Sequence, residues 1–142
     1  MSIKNLVSDA QKADADRMQI LINICQEIIA ELKRIDNVIE LVNFWDEKQR
    51  TELMNTIAAL IKDLRSLKRL PIDKKAKISY FDTVMSEADI LINNLTAFIT
   101  KIERTDFKNA KAAQGYYYHY IEDPFEESLL KLIKNVKALS SH

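Results

Sequence analysis

The chain has 142 residues, with 21 Lys plus Arg against 21 Asp plus Glu, one glycine, two prolines and one cysteine. That length supports one domain around a single core, and a formal net charge of zero gives no global pull toward nucleic acid or an anionic membrane. A 47% apolar fraction recurring nearly to the end excludes disorder as the main state, the lone cysteine excludes an intrachain disulfide, and the scarcity of glycine and proline leaves long helices few places to stop.

The first helix is expected to open near Ser2 and run to about Asn43. Its stripe, Leu21, Ile24, Cys25, Ile28, Leu32, Ile35, Val38, Ile39 and Val42, advances by steps that keep one face apolar. Before Met18 the pattern thins to Leu6, Ala10 and Ala13 among Asp9, Asp14 and Asp16, so residues 1–17 read as either a frayed extension or a separate short helix. Met1 to Ala15 has no apolar core of a signal peptide, and no apolar run is long enough to span a bilayer. The expected compartment is the cytoplasm, where Cys25 reads as a small buried hydrophobe. Forty residues of helix would extend about 60 Å, beyond the reach of the next helix, and the uncovered stripe would invite a second subunit.

Phe44-Trp45-Asp46 ends the run, with the two rings expected to staple the bundle end. Asp46 and Gln49 have capping-box spacing, which starts a second helix at Glu47. Its stripe, Leu53, Ile57, Leu60, Leu64 and Leu67, keeps heptad spacing until Pro71 stops it. Asp73 caps a third helix with the stripe Ile78, Phe81, Met85, Ala88, Leu91, Leu95, Phe98 and Ile102. Near Arg104-Thr105-Asp106 the spacing loosens, and either Asp106 caps a restart or the helix continues. Gly115 reads as a breaker, and residues 104–122 stay open between helix and loop. Asp123-Pro124-Phe125-Glu126 carries the strongest start signal in the chain, with aspartate as cap and proline in the first helical position. The last helix buries Phe125, Leu129, Leu132, Val136 and Leu139. The result is an all-α, antiparallel (up-down) bundle of about four helices with a long first helix, one domain over residues 1–142.

Chemistry is poorly supplied. The histidines, His119 and His142, both lack a Glu three residues earlier, so the carboxylate-bridged metal pattern of helical bundles is missing. No nucleophile is marked and no glycine-rich turn cradles phosphate. No catalytic residue, metal ligand or cofactor is expected, and most carboxylates read as solvated helix faces. Two features stand out. Tyr116, Tyr117, Tyr118, His119 and Tyr120 are consecutive, and neighbours on a helix point about 100° apart. They cannot share one buried face, so at least two of the four tyrosines should expose ring surface and form a partner-binding patch. The second feature is a basic tip: Lys62, Arg65, Lys68, Arg69, Lys74, Lys75 and Lys77 face Asp63 and Asp73, a net of +5 over residues 62–77. Lys131, Lys134 and Lys137 of the last helix join that end. The opposite end collects Glu40, Asp46, Glu47, Glu52, Glu122, Asp123, Glu126 and Glu127. Helix-dipole complementarity accounts for part of this polarity. The functional reading is a tip that docks an acidic protein, a phosphate-rich headgroup or nucleic acid.

The leading expectation is a non-enzymatic protein-interaction module that binds another macromolecule, a protein first, or itself as a homo-oligomer. The alternatives are a membrane-active bundle recruited to anionic lipid through the basic tip and an enzyme of unrecognised type whose groups converge from separate helices.

Overall fold

The computed structural model describes residues 17–69 and 80–140. Within them the chain forms α1 (Arg17–Glu40), α2 (Glu47–Lys68), α3 (Phe81–Glu103), α4 (Ala110–Tyr117), a π-helical turn (Tyr118–Glu122) and α5 (Asp123–Ser140). No strand occurs among the described residues. The last three elements run on without a break, so the described residues form an all-α bundle of three helices and one composite helix.

The stripes explain the packing. From Leu21 to Ile39 the expected α1 positions are buried apart from half-buried Val38, and all five α2 positions are buried. In α3, Phe81, Ala88, Leu91, Leu95, Phe98 and Ile102 are buried, joined by Val84 and Ile92, while Met85 is half-buried. In α5 the face is Phe125, Leu129, Ile133 and Val136, with Leu132 only half-buried. Two contact sets give the relative directions. Lys68 at the end of α2 pairs with Asp89 in the first half of α3. The Tyr117 hydroxyl donates to the Leu32 carbonyl at 2.6 Å, and the Gln114 amide donates to Asp36 at 2.7 Å. Moving forward along α4 thus means moving backward along α1.

The corner between α1 and α2 is built by side chains. Asp46 caps α2 by accepting from the Lys48 N–H at 3.0 Å. The expected reciprocal bond from Gln49 is displaced: its amide oxygen accepts from the Asn43 N–H at 2.7 Å, three residues before the cap. The staple forms by halves. Phe44 is buried, but Trp45 is 79% exposed. The cap fixes the chain at Asp46, and Asn43 Oδ1 takes the Trp45 N–H at 3.0 Å, which leaves the indole on the outside of the turn.

α1 spans 24 residues beside 22 in α2 and 23 in α3, so within the described residues it exceeds these two by only one or two residues. The stretch that would lengthen it lies outside the described residues, as do Pro71, Asp73 and Ile78. Gly115 does not break a helix. It lies inside α4, and a Cβ there would meet nothing within 4 Å. A helical glycine costs about 1 kcal/mol, less than the burial of Ala113 and Tyr117 on the same turn returns. α5 begins at Asp123 as expected, but Asp123 is itself helical and caps no break, because the chain is already helical before it. The Asp123 N–H bonds to the Tyr118 carbonyl five residues back, and this wider turn displaces the carbonyls that the proline ring would otherwise strike. The break falls earlier, where Thr105 adopts a left-handed φ of 57° and α3 ends. Of the two readings of this region the restart is the one observed, capped not by Asp106 but by Asn109, which accepts from the Ala112 N–H at 2.8 Å.

Candidate functional site

The α1–α2 corner and the loop between α3 and α4 meet at one end of the bundle, and Phe107 joins them. Its ring lies 6.4 Å from Phe44, 5.5 Å from Phe98 and 5.5 Å from Tyr116. Tyr116 continues the series to Tyr120 at 4.7 Å, and His119 stands edge-on to Tyr120 at 4.8 Å. Lys101 sits over the Tyr116 ring at 5.3 Å, within cation–π range. A recess of about 470 Å³ separates Trp45 from Phe107, walled by Arg50, Thr105 and Lys108. Behind the corner, Leu41 is 83% exposed and borders a second recess of about 540 Å³ with Val38, Val42 and Thr56. The corner that carries these groups is tied down: Arg50 Nη1 donates to the Phe44 carbonyl at 2.6 Å.

The five-residue aromatic run does not form one patch. Tyr116, His119 and Tyr120 belong to the arc just described, and Tyr120 is 56% exposed. Tyr117 is fully buried against Phe98, and burial, then the charges of Glu122 and Asp36, push its hydroxyl far above the usual tyrosine range. Tyr118 is 50% exposed and lies within electrostatic reach of Lys33 on α1. Two of the four rings are thus open to solvent.

On its α1 side the composite helix carries a different constellation. Glu122, expected on a solvated acidic tip, is only 6% exposed, and its Oε1 has no hydrogen-bond partner among the described residues. The π turn carries it inward beside Ile121 and toward Asp36 of α1. Burial first, then hydrogen bonding to Asp36 and the charges of Asp36 and Glu126, push Glu122 up to about 7, against the opposing charge of Lys33. Lys33 itself pairs with Glu126 at 3.0 Å, and Gln114 holds the far side of Asp36.

The basic tip is divided as well. Lys62, Arg65 and Arg69 line a recess between α2 and α3, Lys68 is paired with Asp89, and Lys74, Lys75 and Lys77 lie outside the described residues. Cys25 is buried, and burial, followed by the charge of Glu87, pushes its thiol up to about 12, so it is a packing group. Among the described residues no three His, Cys, Asp or Glu side chains converge to hold a metal, and no helix is long and apolar enough to cross a membrane.

The residues missed from sequence are Phe107, Leu41 and the Asp36–Glu122 pair. Glu122 did carry a signal: it stands three and seven residues before Phe125 and Leu129, on the buried stripe rather than opposite it. No family model, curated protein or solved structure matches the chain.

Proposed function

We propose that the chain is a non-enzymatic protein-interaction module that holds a partner protein at the aromatic end of the bundle, across Trp45, Phe107, Tyr116 and Tyr120. The observation that carries this reading is Trp45, 79% exposed on a corner whose backbone is fixed by bonds to Asn43 and Arg50. Tryptophan and tyrosine are enriched among binding hot spots, and a ring presented on an ordered corner loses little further freedom when it is covered. The recess beside it gives a partner side chain a place to enter. Arg50, Lys101 and Lys108 surround the rings, which favours a partner face with carboxylates at its rim. The buried thiol of Cys25 suits a reducing cytoplasm, where we place the protein.

The test is site-specific photo-crosslinking in the native host, with a benzophenone amino acid at position 45 or 120 and at exposed Asn135 as control. A discrete adduct from 45 and 120 that is missing from 135 is expected, and a second copy of the chain would show as a crosslinked dimer. Equal labelling from all three positions overturns the proposal.

A further inference from the structure

A second surface lies on the flank formed by α2 and α3. Lys62, Arg65 and Arg69 are spaced by three and four residues along α2, so they share a face and span about 10 Å of helix. Between them and α3 lies a groove of about 360 Å³ with Ala58, Ile61 and Ile99 in its lining. No acid lines it. Lys33, Lys68, Lys101 and Lys131 each have a carboxylate partner, whereas Lys62, Arg65 and Arg69 have none among the described residues. Helix-dipole complementarity explains cations near the α2 C-terminus. It does not explain an apolar channel left open beside them.

We infer that this groove docks an acidic, helical segment of a partner protein, whose aliphatic side chains enter the channel while its carboxylates meet Lys62, Arg65 and Arg69. The charge pattern selects an acidic occupant, and the apolar lining selects one with hydrocarbon to bury. A nucleic-acid backbone offers phosphate but nothing for Ile61 and Ile99, and a bilayer is entered by protruding side chains rather than by a recess. An amphipathic helix laid in a groove satisfies both halves at once.

The experiment titrates the intact protein into a labelled synthetic peptide that carries Glu on one helical face and Leu on the other, read by fluorescence anisotropy. Binding should weaken as salt rises, since exposed charges are screened beyond about 10 Å at 0.1 M. Joint reversal of Lys62, Arg65 and Arg69 to Glu should reduce affinity by about tenfold or more. Ala58→Trp fills the channel without changing charge and should reduce it comparably, while Asn135→Ala, at an exposed position of α5, should leave it unchanged. Circular dichroism checks each fold, and Arg65→Glu alone gives the reading if the triple variant fails to fold. Several results overturn the inference. They are no binding, equal binding of an all-Glu peptide, tighter binding of oligodeoxythymidine or phosphatidylserine vesicles, and indifference to Ala58→Trp. Self-association abolished by the same substitutions would assign the groove to a second copy and overturn it too.

Discussion

The composite helix presents two unlike flanks. Toward α3 it offers rings, with Tyr116 stacked on Phe98 at 5.7 Å and Tyr120 beyond it at the surface. Toward α1 it offers polar groups, with Gln114 on Asp36, Tyr117 on the Leu32 carbonyl and Glu122 facing Asp36. The ring flank is held by dispersion and apolar burial, which tolerate small shifts of register. The polar flank is directional, and a shift of one residue would strand several buried groups. Ring packing therefore supplies stability, and the polar contacts fix where along α1 the helix sits. Tyr117 serves both flanks, its ring 5.5 Å from Phe98 and its hydroxyl on Leu32.

The largest break in this comparison comes from the ring side. Phe98 is fully buried and touches Phe107, Tyr116 and Tyr117. Phe98→Ala should cost about 3–5 kcal/mol, as deletion of a core ring does, read from urea denaturation. A loss under about 1 kcal/mol would mean the rings are ornamental and the α1 contacts hold the helix.

The polar flank has its own signature, in pH. The folded state raises Glu122 from the ordinary 4.5 to about 7, so it binds that proton more tightly than the unfolded chain does. The stabilisation this group contributes is complete below pH 4.5 and is lost as pH rises through about 7. Above that, two carboxylates face each other, with Lys33, the charge of Glu126 and the neutral Gln114 and Tyr117 around them. Glu122→Gln keeps the shape and can donate to Asp36 at every pH. Above neutrality it should be more stable than the parent, with the gap closing toward pH 5. Denaturation midpoints of the two proteins that run parallel across this range would remove the carboxyl pair from the account.

Legibility in the sequence divides along the same line. The stripes from Leu21 to Ile39 and from Leu53 to Leu67 are local, periodic and apolar, so the helices and the all-α class could be read directly. The composite helix could not, because Gly115 and Asp123-Pro124 are local stop and start signals worth about 1–3 kcal/mol each. Burial of Tyr117, Ile121 and Phe125 outweighs them, and that burial depends on α1 and α3. The exposed rings were anticipated from five adjacent aromatics, but their division between flanks depends on the π turn. Phe107 looked like an ordinary apolar residue in a loosened stretch, and only the meeting of two distant loops makes it the junction of the arc.

Gly115 provides the smallest and sharpest test, because it belongs to neither flank. It is exposed, lies inside α4 with an ordinary helical φ, and has open space where a Cβ would stand. Nothing in its surroundings requires glycine, so its effect is that of backbone entropy alone. Gly115→Ala should therefore stabilise the protein by about 0.5–1 kcal/mol, and it should do so equally at pH 5 and pH 8. The same increment should appear in the Phe98→Ala and Glu122→Gln backgrounds, since sites without shared partners add. Increments that agree in all three would show that helix continuity through residue 115 is independent of both flanks. An increment that vanishes only in the Glu122→Gln background would instead tie α4 to the polar contacts through the π turn. A loss of stability would mean that the glycine is needed for the entry into that turn, and the continuous helix would then rest on local geometry rather than on burial.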